Sequence, residues 1–460
     1  MSRRKSEPSR PRDLKIDYRS PTELKAYPRN ARRRSPRQQR YLEDSIRKFG
    51  FNCPVIIADD GEIVAGHARV KAAEKLGLLR IPTITLPPMA ATDRRAFILA
   101  DNRVAELATW DRDMLAIELQ DLIDLGVPDI TLTGFTLADI DDRLEEATDK
   151  KRDLMEPEDD VPGVKGEVVT RAGDLWLLGS HRLLCGNATL ASDYGRLMDS
   201  KLASMVFADA PYNRPVKSFS GRGRIRHPDF VQGFGEMSEH EFIDFLASFL
   251  QHSKEVTLPG SIIFACMDWA HIYELLTAGR QQALTLKNLI VWMKSTPGMG
   301  SFYRSQHELL AVFKHGDAPH TNTFELGQHG RNRSNVWRFP GGGSFRANRL
   351  DELKMHPCVK PVQLIADAIR DVTARGEIVL DPFAGSGSTL IAAEKTGRIG
   401  YAMELDSRYC DVIVRRWQAY TGKLAQLEPT GAFFEDVEAE RKTDDAKRMD
   451  VTNGTRRRSR

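Results

Sequence analysis

The chain has 460 residues, more than one hydrophobic core usually organises, so we expect two or three domains. Hydrophobic residues make up 41% and charged residues 28%, a globular composition. No run approaches the roughly 18 apolar residues of a membrane span. The opening, MSRRKSEPSRPR, has no apolar stretch behind its basic residues. We therefore expect no secretory signal, no membrane contact and a cytoplasmic protein.

The five cysteines are isolated and show neither CxxC nor CxxH spacing. This argues against zinc and against a disulfide framework, and it is typical of a reducing compartment. We therefore expect no metal. The cysteines are Cys53, Cys185, Cys266, Cys358 and Cys410.

The net charge of +3 says little, but arginines crowd one short stretch over 29–40. Further basic runs stand at 3–5 and 456–458. Such runs suit contact with phosphates. Solvated, disordered chain ends explain the two terminal runs equally well.

Composition divides the chain into segments. Charged stretches poor in large apolar residues predict a disordered basic arm over 1–12 and a disordered tail over 441–460. The segment 149–163 is acidic, contains prolines and lacks periodicity, which predicts a linker. It separates an N-terminal part over 13–148 from a C-terminal part over 164–440.

The N-terminal part mixes short strands with helices. Apolar runs predict strands at 54–58 and 62–65, joined by a turn at 59–61. A helix is expected to follow Gly66 and to end at Gly77. Three more helices are predicted at 92–107, 111–125 and 136–146. This order favours an α+β domain with a helical extension.

The C-terminal part alternates near-continuous apolar strands with helices, which indicates an open α/β sheet that is mainly parallel. Helices are predicted at 238–253 and 361–374. Strands are predicted at 204–209, 261–265, 288–293, 308–313, 377–381 and 399–405.

The segment 207–213, FADAPYN, ends an apolar strand in an acid. An exocyclic amine on a base is a poor nucleophile because its lone pair is delocalised into the ring. Two acceptors aimed at its N–H bonds would free that lone pair: the Asp209 carboxylate and the Ala210 carbonyl, which Pro211 keeps extended. Tyr212 offers a face for a base rotated out of a duplex. An ordinary turn is the alternative.

A second acid, Asp381, ends the strand before the turn FAGSGS and a helix that begins near Thr389. Gly385 and Gly387 allow close approach of the backbone to a ligand. Glu404 ends the next strand, where a carboxylate can accept hydrogen bonds from both hydroxyls of a ribose. The third glycine of a dinucleotide fingerprint is absent, which favours a ligand with a single adenosine. Plain strand–turn–helix packing is the alternative.

The two motifs make chemical sense together. Ligands of an open α/β sheet lie outside the carboxyl ends of the strands at the topological switch point. If the strands that end at Asp209 and Asp381 are neighbours there, base and cofactor share one crevice. Alignment of the amine with a methyl group would then account for much of the rate.

The order DAPY, then FAGSGS, resembles the permuted β class of amino-DNA methyltransferases over nearly all of 170–435. The segments 175–190, 356–361 and 400–406 resemble the strand pair before its catalytic motif, the opening of its cofactor-side helix and its ribose-binding strand. The usual catalytic motif is DPPY or SPPY, so Ala210 is a departure that keeps the carbonyl and loses rigidity.

The resemblance implies a Rossmann-like class I S-adenosylmethionine-dependent methyltransferase with permuted motif order. It implies base flipping and methylation of adenine N6 in double-stranded DNA, with cytosine N4 as the alternative. The implied catalytic residues are Asp209, Ala210, Pro211 and Tyr212. The implied cofactor-binding residues are Asp381, Phe383, Ala384, Gly385, Ser386, Gly387, Glu404 and Lys360.

Residues 13–107 resemble the N-terminal domain of ParB-type partition proteins through the box GHARVKAA at 66–73. The tetrapeptide ADNR at 100–103 fits the version fused to phage and prophage methylases, so a bacterial or phage-encoded protein is expected. By resemblance Arg69 would contact nucleotide phosphates. A DNA-positioning role, or a structural role for His67 and Arg69, are alternatives.

The polar segment 314–355 is expected to recognise the target sequence, because so long a connection usually has a function. The implied DNA contacts are Lys294, Arg304, Arg331, Arg333 and Arg338. The alternative is a surface loop whose arginines pair with local acids. Trp292 is predicted to be core.

Two further functional alternatives remain open at this point. One is a nucleotide-switched ParB-like DNA-binding protein with a degenerate methylase domain, for which Ala210 is the only hint. The other is an RNA amino-methyltransferase. The chain is expected to be a monomer or a homodimer.

Overall fold

The structure, a computed structural model, describes residues 14–127, 129–152, 161, 168–214, 234–295, 297, 302–323, 333–339, 359–428 and 430–443. The chain divides into two compact units, Met1–Lys150 and Lys151–Arg460. The predicted basic arm over 1–12 and most of the predicted linker lie outside the described residues. In the described part of the chain, no helix is long and apolar enough to cross a membrane.

The first unit is built on a small sheet and two helices. Their bounds are β1 Ile16–Arg19, β2 Val55–Ile57, β3 Ile63–Ala65, β4 Ile81–Thr85, α1 Pro36–Phe49 and α2 His67–Lys75. The strand order is β1-β4-β2-β3, in which β2 and β4 pair in parallel and the other pairs are antiparallel. Val55, Ile57 and Ile81 are fully buried against Val70 of α2. The predicted strands at 54–58 and 62–65 and the helix after Gly66 are confirmed.

Three further helices complete the first unit: α3 Ala91–Leu107, α4 Arg112–Asp124 and α5 Leu137–Arg152. Asp111 caps α4 by accepting hydrogen bonds from two backbone amides of its first turn. Leu115 and Leu119 of α4 pack with Ile140 and Leu144 of α5 in a small separate core. All three predicted helices are confirmed, although α5 continues to Arg152, into the segment predicted as linker.

The second unit contains a sheet of 11 strands. One half comprises β7 Ala203–Ala208, β8 Thr257–Met267, β9 Thr285–Met293, β10 His307–Lys314 and β11 Val336–Arg338. The other half comprises β5 Leu175–Leu178, β6 His181–Cys185, β12 Ile378–Asp381, β13 Ile399–Glu404, β14 Gln426–Glu428 and β15 Ala432–Phe433. Across the sheet the strand order is β11-β9-β10-β8-β7-β12-β13-β6-β5-β14-β15.

The prediction of a mainly parallel sheet holds for its centre and for the edge pair β11–β9, whereas the other pairs are antiparallel. Strands β8, β7, β12, β13 and β6 pair in parallel. Strand β10 is antiparallel to both β8 and β9, and the outer strands β5, β14 and β15 are also antiparallel to their neighbours. The predicted pair at 175–190 is therefore a hairpin on the edge of the parallel centre.

Helices cover both faces of this sheet, as an apolar parallel centre requires. Helices α6 Ala191–Met198, α7 Glu239–Glu255 and α8 Ile272–Gln281 supply one buried apolar layer. Helices α9 Val362–Val372, α10 Ser388–Thr396 and α11 Ser407–Thr421 supply the other. Trp292 of β9 is 2% exposed, so its predicted place in the core is confirmed.

The prediction of a disordered tail over 441–460 is wrong at its start. A last helix spans residues 434–443. Arg441, near its end, donates a hydrogen bond to the carbonyl oxygen of Val169 at 2.6 Å and pairs with Asp174. A charged side chain that finds buried partners far away in sequence leaves no local pattern. Residues 444–460 lie outside the described residues.

Candidate active site

The two chemical motifs meet at the switch point of the large sheet. Strands β7 and β12 are parallel neighbours, with Met205 opposite Val379 and Val206 opposite Leu380. The chain continues from β7 toward β8 on one side and from β12 toward β13 on the other. Their carboxyl ends therefore open a crevice of the kind that binds ligands in α/β folds. The predicted adjacency of the two strands is confirmed.

Asp209 is fixed in place by two donors immediately after β7. Its Oδ1 accepts a hydrogen bond from the Tyr212 hydroxyl at 2.9 Å, and its Oδ2 accepts one from Lys360 Nζ at 2.7 Å. Ala210 is 3% exposed, so the residue that departs from the family motif lies in the core. Because Pro211 follows it, its backbone is still confined to extended conformations.

Asn213 closes the motif with a side-chain clamp. Its backbone adopts a positive φ of 50°, which asparagine tolerates better than most residues. Its Oδ1 accepts hydrogen bonds from the amides of Gly235 and Met237, and its Nδ2 donates to the carbonyl oxygen of Met237 at 2.8 Å. The two sides of the loop 214–235 are thus joined at its base, while residues 215–233 lie outside the described residues.

Lys360, predicted as a cofactor-binding residue, is paired in the structure with acids beside the catalytic motif. It immediately precedes Pro361, and helix α9 then packs over β7 and β8. Its side chain is 5% exposed and ion-paired with Asp209 and Glu308.

Glu308 is a site residue that the sequence analysis misses. It is the second residue of β10, whose amino end lies at the carboxyl end of its antiparallel neighbour β8. Its carboxylate accepts a hydrogen bond from the Tyr212 hydroxyl at 3.0 Å and pairs with Lys294 and Lys360. An acid inside the apolar run ELLAVF is the signal that would have found it, because buried acids need partners.

The cofactor-side turn is organised by two carboxylates, of which Asp381 is buried and Glu404 is partly buried. Asp381 is 3% exposed and accepts a hydrogen bond from the amide of Phe383 at 2.9 Å. Glu404 accepts from the amide of Gly385 at 2.8 Å and from that of Asp406 at 2.9 Å. The strand that ends at Glu404 therefore holds the glycine turn directly.

Gly387 is required where the turn enters α10. Its φ is 83°, and a Cβ there would lie 2.9 Å from the side chain of Ile413. Ser386 is held by Arg416, which donates to its carbonyl oxygen at 2.9 Å and to its Oγ at 3.2 Å. The ring of Phe383 packs on Phe249 of α7, with centroids 5.0 Å apart. The turn is therefore supported from both faces of the sheet.

Burial sets the acidity of both carboxylates. Desolvation raises the pKa of Asp381 to about 7, against hydrogen bonds from Thr389 and Phe383 that lower it. Desolvation also raises the pKa of Glu404 to about 7, although the hydrogen bonds that it accepts from two backbone amides lower the pKa. Both groups would be stabilised as anions by a ligand that brings hydroxyl donors or positive charge.

The predicted DNA contacts separate into three groups. Arg304 and Arg338 are exposed. Lys294 is paired with Glu308, and Arg333 is paired with Asp367 at 2.6 Å and Asp371 at 2.7 Å. For Arg333 the structure favours the alternative of pairing with local acids. Arg331 and most of the segment 314–355 lie outside the described residues.

The predicted phosphate-binding arginine of the first unit is engaged with backbone. Arg69 Nη1 donates to the carbonyl oxygens of Cys53 at 2.7 Å and Pro54 at 3.0 Å. His67 Nε2 accepts from the amide of Tyr27 at 3.1 Å, and burial lowers its pKa. These contacts favour the alternative that Arg69 and His67 have a structural role.

A cavity of about 290 Å³ nevertheless opens elsewhere in the first unit, between the loop at 27–32 and helix α3. Its polar lining comprises Tyr27, Arg29, Asn30, Arg32, Arg95, Asn102, Arg103 and Glu106. In the described ranges of the chain, no group of three or more His, Cys, Asp or Glu side chains is placed to hold a metal ion.

Residues 203–415 match the family model of the N6/N4 DNA methylases, and residues 113–172 match that of the ParB-methyltransferase helix-turn-helix domain. The chain therefore contains a DNA methylase domain of this family together with that helix-turn-helix domain. The protein is a DNA methyltransferase. Phage origin remains a prediction.

The helix-turn-helix match covers α4 and α5, which were predicted only as a helical extension, and it overlaps the predicted linker 149–163. Two short helices separated by a connection with Gly126 and Gly134 are the signal that would have indicated this motif.

Among individual proteins, the chain is 26% identical over 231 residues to the type II methyltransferase M2.DpnII of Streptococcus pneumoniae, covering 48% of this chain and 85% of that protein. It also resembles TTHA0409 of Thermus thermophilus, a putative DNA modification methylase solved with S-adenosyl-L-methionine. That likeness has a TM-score of 0.38 and 21% identity and covers 53% of this chain and 96% of the other. A third likeness is to ParB from Caulobacter crescentus in complex with CTP-γ-S. It has a TM-score of 0.23 and 19% identity and covers 31% of this chain and 80% of the other.

Proposed function

We propose that the protein transfers the methyl group of S-adenosylmethionine to N6 of adenine in double-stranded DNA, on a base rotated out of the helix. One observation carries this proposal. Asp209, held by Tyr212 and Lys360, lies at the carboxyl end of the strand beside the one that ends in Asp381. This juxtaposition aligns an amine acceptor with an adenosine-binding turn.

The residues of the cofactor-side turn fit S-adenosylmethionine. Glu404 would accept the ribose hydroxyls, and Asp381 lies deep in the crevice, where a cationic ligand favours its ionised form. Gly385 and Gly387 leave room for close approach of the backbone. When bound, the cofactor supplies an electrophilic methyl group on a positively charged sulfur. No described residue is required to hold a metal for this chemistry.

On the catalytic side, the chain's own residues activate the amine. The Asp209 carboxylate and the Ala210 carbonyl accept hydrogen bonds from its two N–H groups. These hydrogen bonds favour a pyramidal nitrogen. The proton released after transfer passes first toward Asp209, the nearest acceptor. The Tyr212 hydroxyl is fixed by Asp209 and Glu308, so its ring is held ready for stacking.

Asp209, where serine is the common alternative, favours adenine N6 over cytosine N4. Both amines offer the same pair of N–H bonds, so cytosine N4 is the rival that a test must separate. Expression in a methylation-free host, followed by single-molecule sequencing, reports the modified base and its context together. N4-methylcytosine with unmodified adenine would reject the adenine assignment.

Asp209→Asn is expected to lower methyl transfer to DNA by about a hundredfold or more, because the amine loses an anionic acceptor. Binding of S-adenosylmethionine should persist, since Asp209 does not belong to the glycine turn. Transfer of labelled methyl and isothermal titration measure the two effects. Asp199→Asn, at an exposed carboxylate, is the matched control. Full turnover by Asp209→Asn would refute the role of Asp209.

The affinity for S-adenosylmethionine is expected to rise about tenfold between pH 6 and pH 8. The ionised Glu404 carboxylate is the better acceptor for ribose hydroxyls, and a group with a pKa of about 7 ionises over this range. Glu404→Gln should bind more weakly at pH 8 and show a shallower dependence, with Asp381 retaining part of it. Titration of the wild type and of Glu404→Gln at each pH removes the effect of ligand ionisation from the comparison, because that effect is the same for both proteins. Parallel curves would remove Glu404 from the cofactor site.

We also propose that the exposed Arg304 contacts DNA phosphate, whereas Arg333 serves the fold. Arg304→Ala should reduce the slope of log affinity against log salt by about 1. Arg333→Ala should leave that slope unchanged and lower the free energy of unfolding by about 1–3 kcal/mol, because Asp367 and Asp371 each lose a charged partner while Asp367 keeps Arg370. Fluorescence anisotropy and urea unfolding measure the pair. Identical salt slopes in wild type and Arg304→Ala would contradict the assignment.

For the first unit we propose that the arginine-lined cavity binds a nucleoside triphosphate. Four arginines line it, at positions 29, 32, 95 and 103, a density of positive charge that suits phosphates. Arg95→Ala is expected to weaken binding of CTP or ATP by about tenfold in isothermal titration. Arg47→Ala, at an exposed arginine outside the cavity, is the control. Absence of binding by either nucleotide to the wild type would reject this site.

A further inference from the structure

Glu308 is a buried carboxylate for which methyl transfer, as proposed above, assigns no direct contact with the substrate. It is 9% exposed and is followed in β10 by Leu309 and Leu310, which are 7% and 0% exposed. Taking a carboxylate out of water costs free energy unless charged or hydrogen-bonding partners compensate it. The residues that contact Glu308 therefore indicate which part of the protein it serves.

These contacts all belong to the catalytic side of the crevice. Lys360 Nζ lies 3.1 Å from one carboxylate oxygen of Glu308, which also accepts a hydrogen bond from the Tyr212 hydroxyl at 3.0 Å. Lys294 pairs with the other oxygen. Burial raises the pKa of Glu308, but the two lysines outweigh that effect and hold it at about 2. Glu308 is an anion at neutral pH.

The same lysine and tyrosine that contact Glu308 also hold Asp209. Lys360 Nζ donates to Asp209 Oδ2 at 2.7 Å, and the Tyr212 hydroxyl lies 2.9 Å from Asp209 Oδ1, so its single proton is shared between Asp209 and Glu308. Asp209, Glu308, Lys294 and Lys360 form what we term the charged cluster, with two negative and two positive groups. Its formal charge is zero, and Glu308 is the member that joins both lysines.

Charge balance matters for the proposed reaction. As the carbon–sulfur bond breaks and a carbon–nitrogen bond forms, positive charge passes to the amine nitrogen, which then gives up a proton. An uncompensated ammonium of Lys360 beside Asp209 would oppose that charge in a crevice of low dielectric constant. Each Asp209 oxygen has two lone pairs, so the bonds to Tyr212 and Lys360 leave room for the amine.

We propose that Glu308 is a positioning residue which, through Lys360 and Tyr212, aligns the Asp209 carboxylate and offsets the positive charge of Lys360 where charge develops on the amine. This inference rests on the proposed function. It assigns to β10, a strand outside both sequence motifs, a direct part in shaping the catalytic side. Lys360 is the group through which Glu308 acts.

The test separates the rate constant from binding. Glu308→Gln should lower kcat for DNA methylation by about tenfold or more, with KM for S-adenosylmethionine changed less than about threefold. Glu308→Asp retains the charge and should recover part of the loss. Lys360→Met should cost less kcat in the Glu308→Gln protein than in the wild type, because the uncompensated charge is then removed.

The control is Glu394→Gln in α10. Glu394 pairs with His181 at 2.6 Å at the amino end of β6, the opposite edge of the sheet, so this variant should lose stability without loss of kcat. A kcat of Glu308→Gln within twofold of the wild type, or purely additive effects with Lys360→Met, would overturn the inference. If Glu308→Gln alone fails to fold, the double variant with Lys360→Met decides, and a kcat tenfold or more below that of Lys360→Met alone would overturn the inference. A wild type that methylates no DNA would instead overturn the proposed function itself.

Discussion

The parallel pairing of β7 with β12 is the constraint on which the rest of the active site depends. Val206 lies opposite Leu380. Asp209 follows Val206 by three residues, and Asp381 follows Leu380 directly. Because the chain leaves these strands in opposite directions, the sheet itself opens the crevice. The core beneath is apolar, so a slip of this register by one residue would turn buried side chains toward the wrong face.

Features encoded by local pattern were predictable. The central strands are apolar runs, and the acids at their ends are visible as the residues that break those runs. Long-range pairing was less accessible. The antiparallel strand β10 places Glu308 in contact with Tyr212, 96 residues away in the sequence, and no periodicity of the sequence indicates that contact. Arg333 shows the same limit, since an arginine in a polar segment fits a phosphate or the acids of α9 equally well until the fold brings the partners together.

The two sides of the crevice manage buried charge differently. On the catalytic side, Asp209 and Glu308 are paired with lysines, and the two lysines hold the pKa of Glu308 at about 2. On the cofactor side, Asp381 and Glu404 accept hydrogen bonds from backbone amides, and burial keeps their pKa near 7. The charges of the catalytic side are therefore compensated within the protein, whereas Asp381 and Glu404 would gain compensation from the proposed ligand. Under the proposed function, this contrast would allow a single crevice to hold a neutral amine and a cation side by side.

The clamp made by Asn213 has a consequence for how this enzyme can change. Since one side chain ties Gly235 and Met237 back to the catalytic motif, the strand end and the start of α7 are spaced independently of the chain between them. The entropy of closing a loop grows only slowly with its length. Under the proposed function, the length and composition of the intervening segment could therefore change while Asp209 keeps its place.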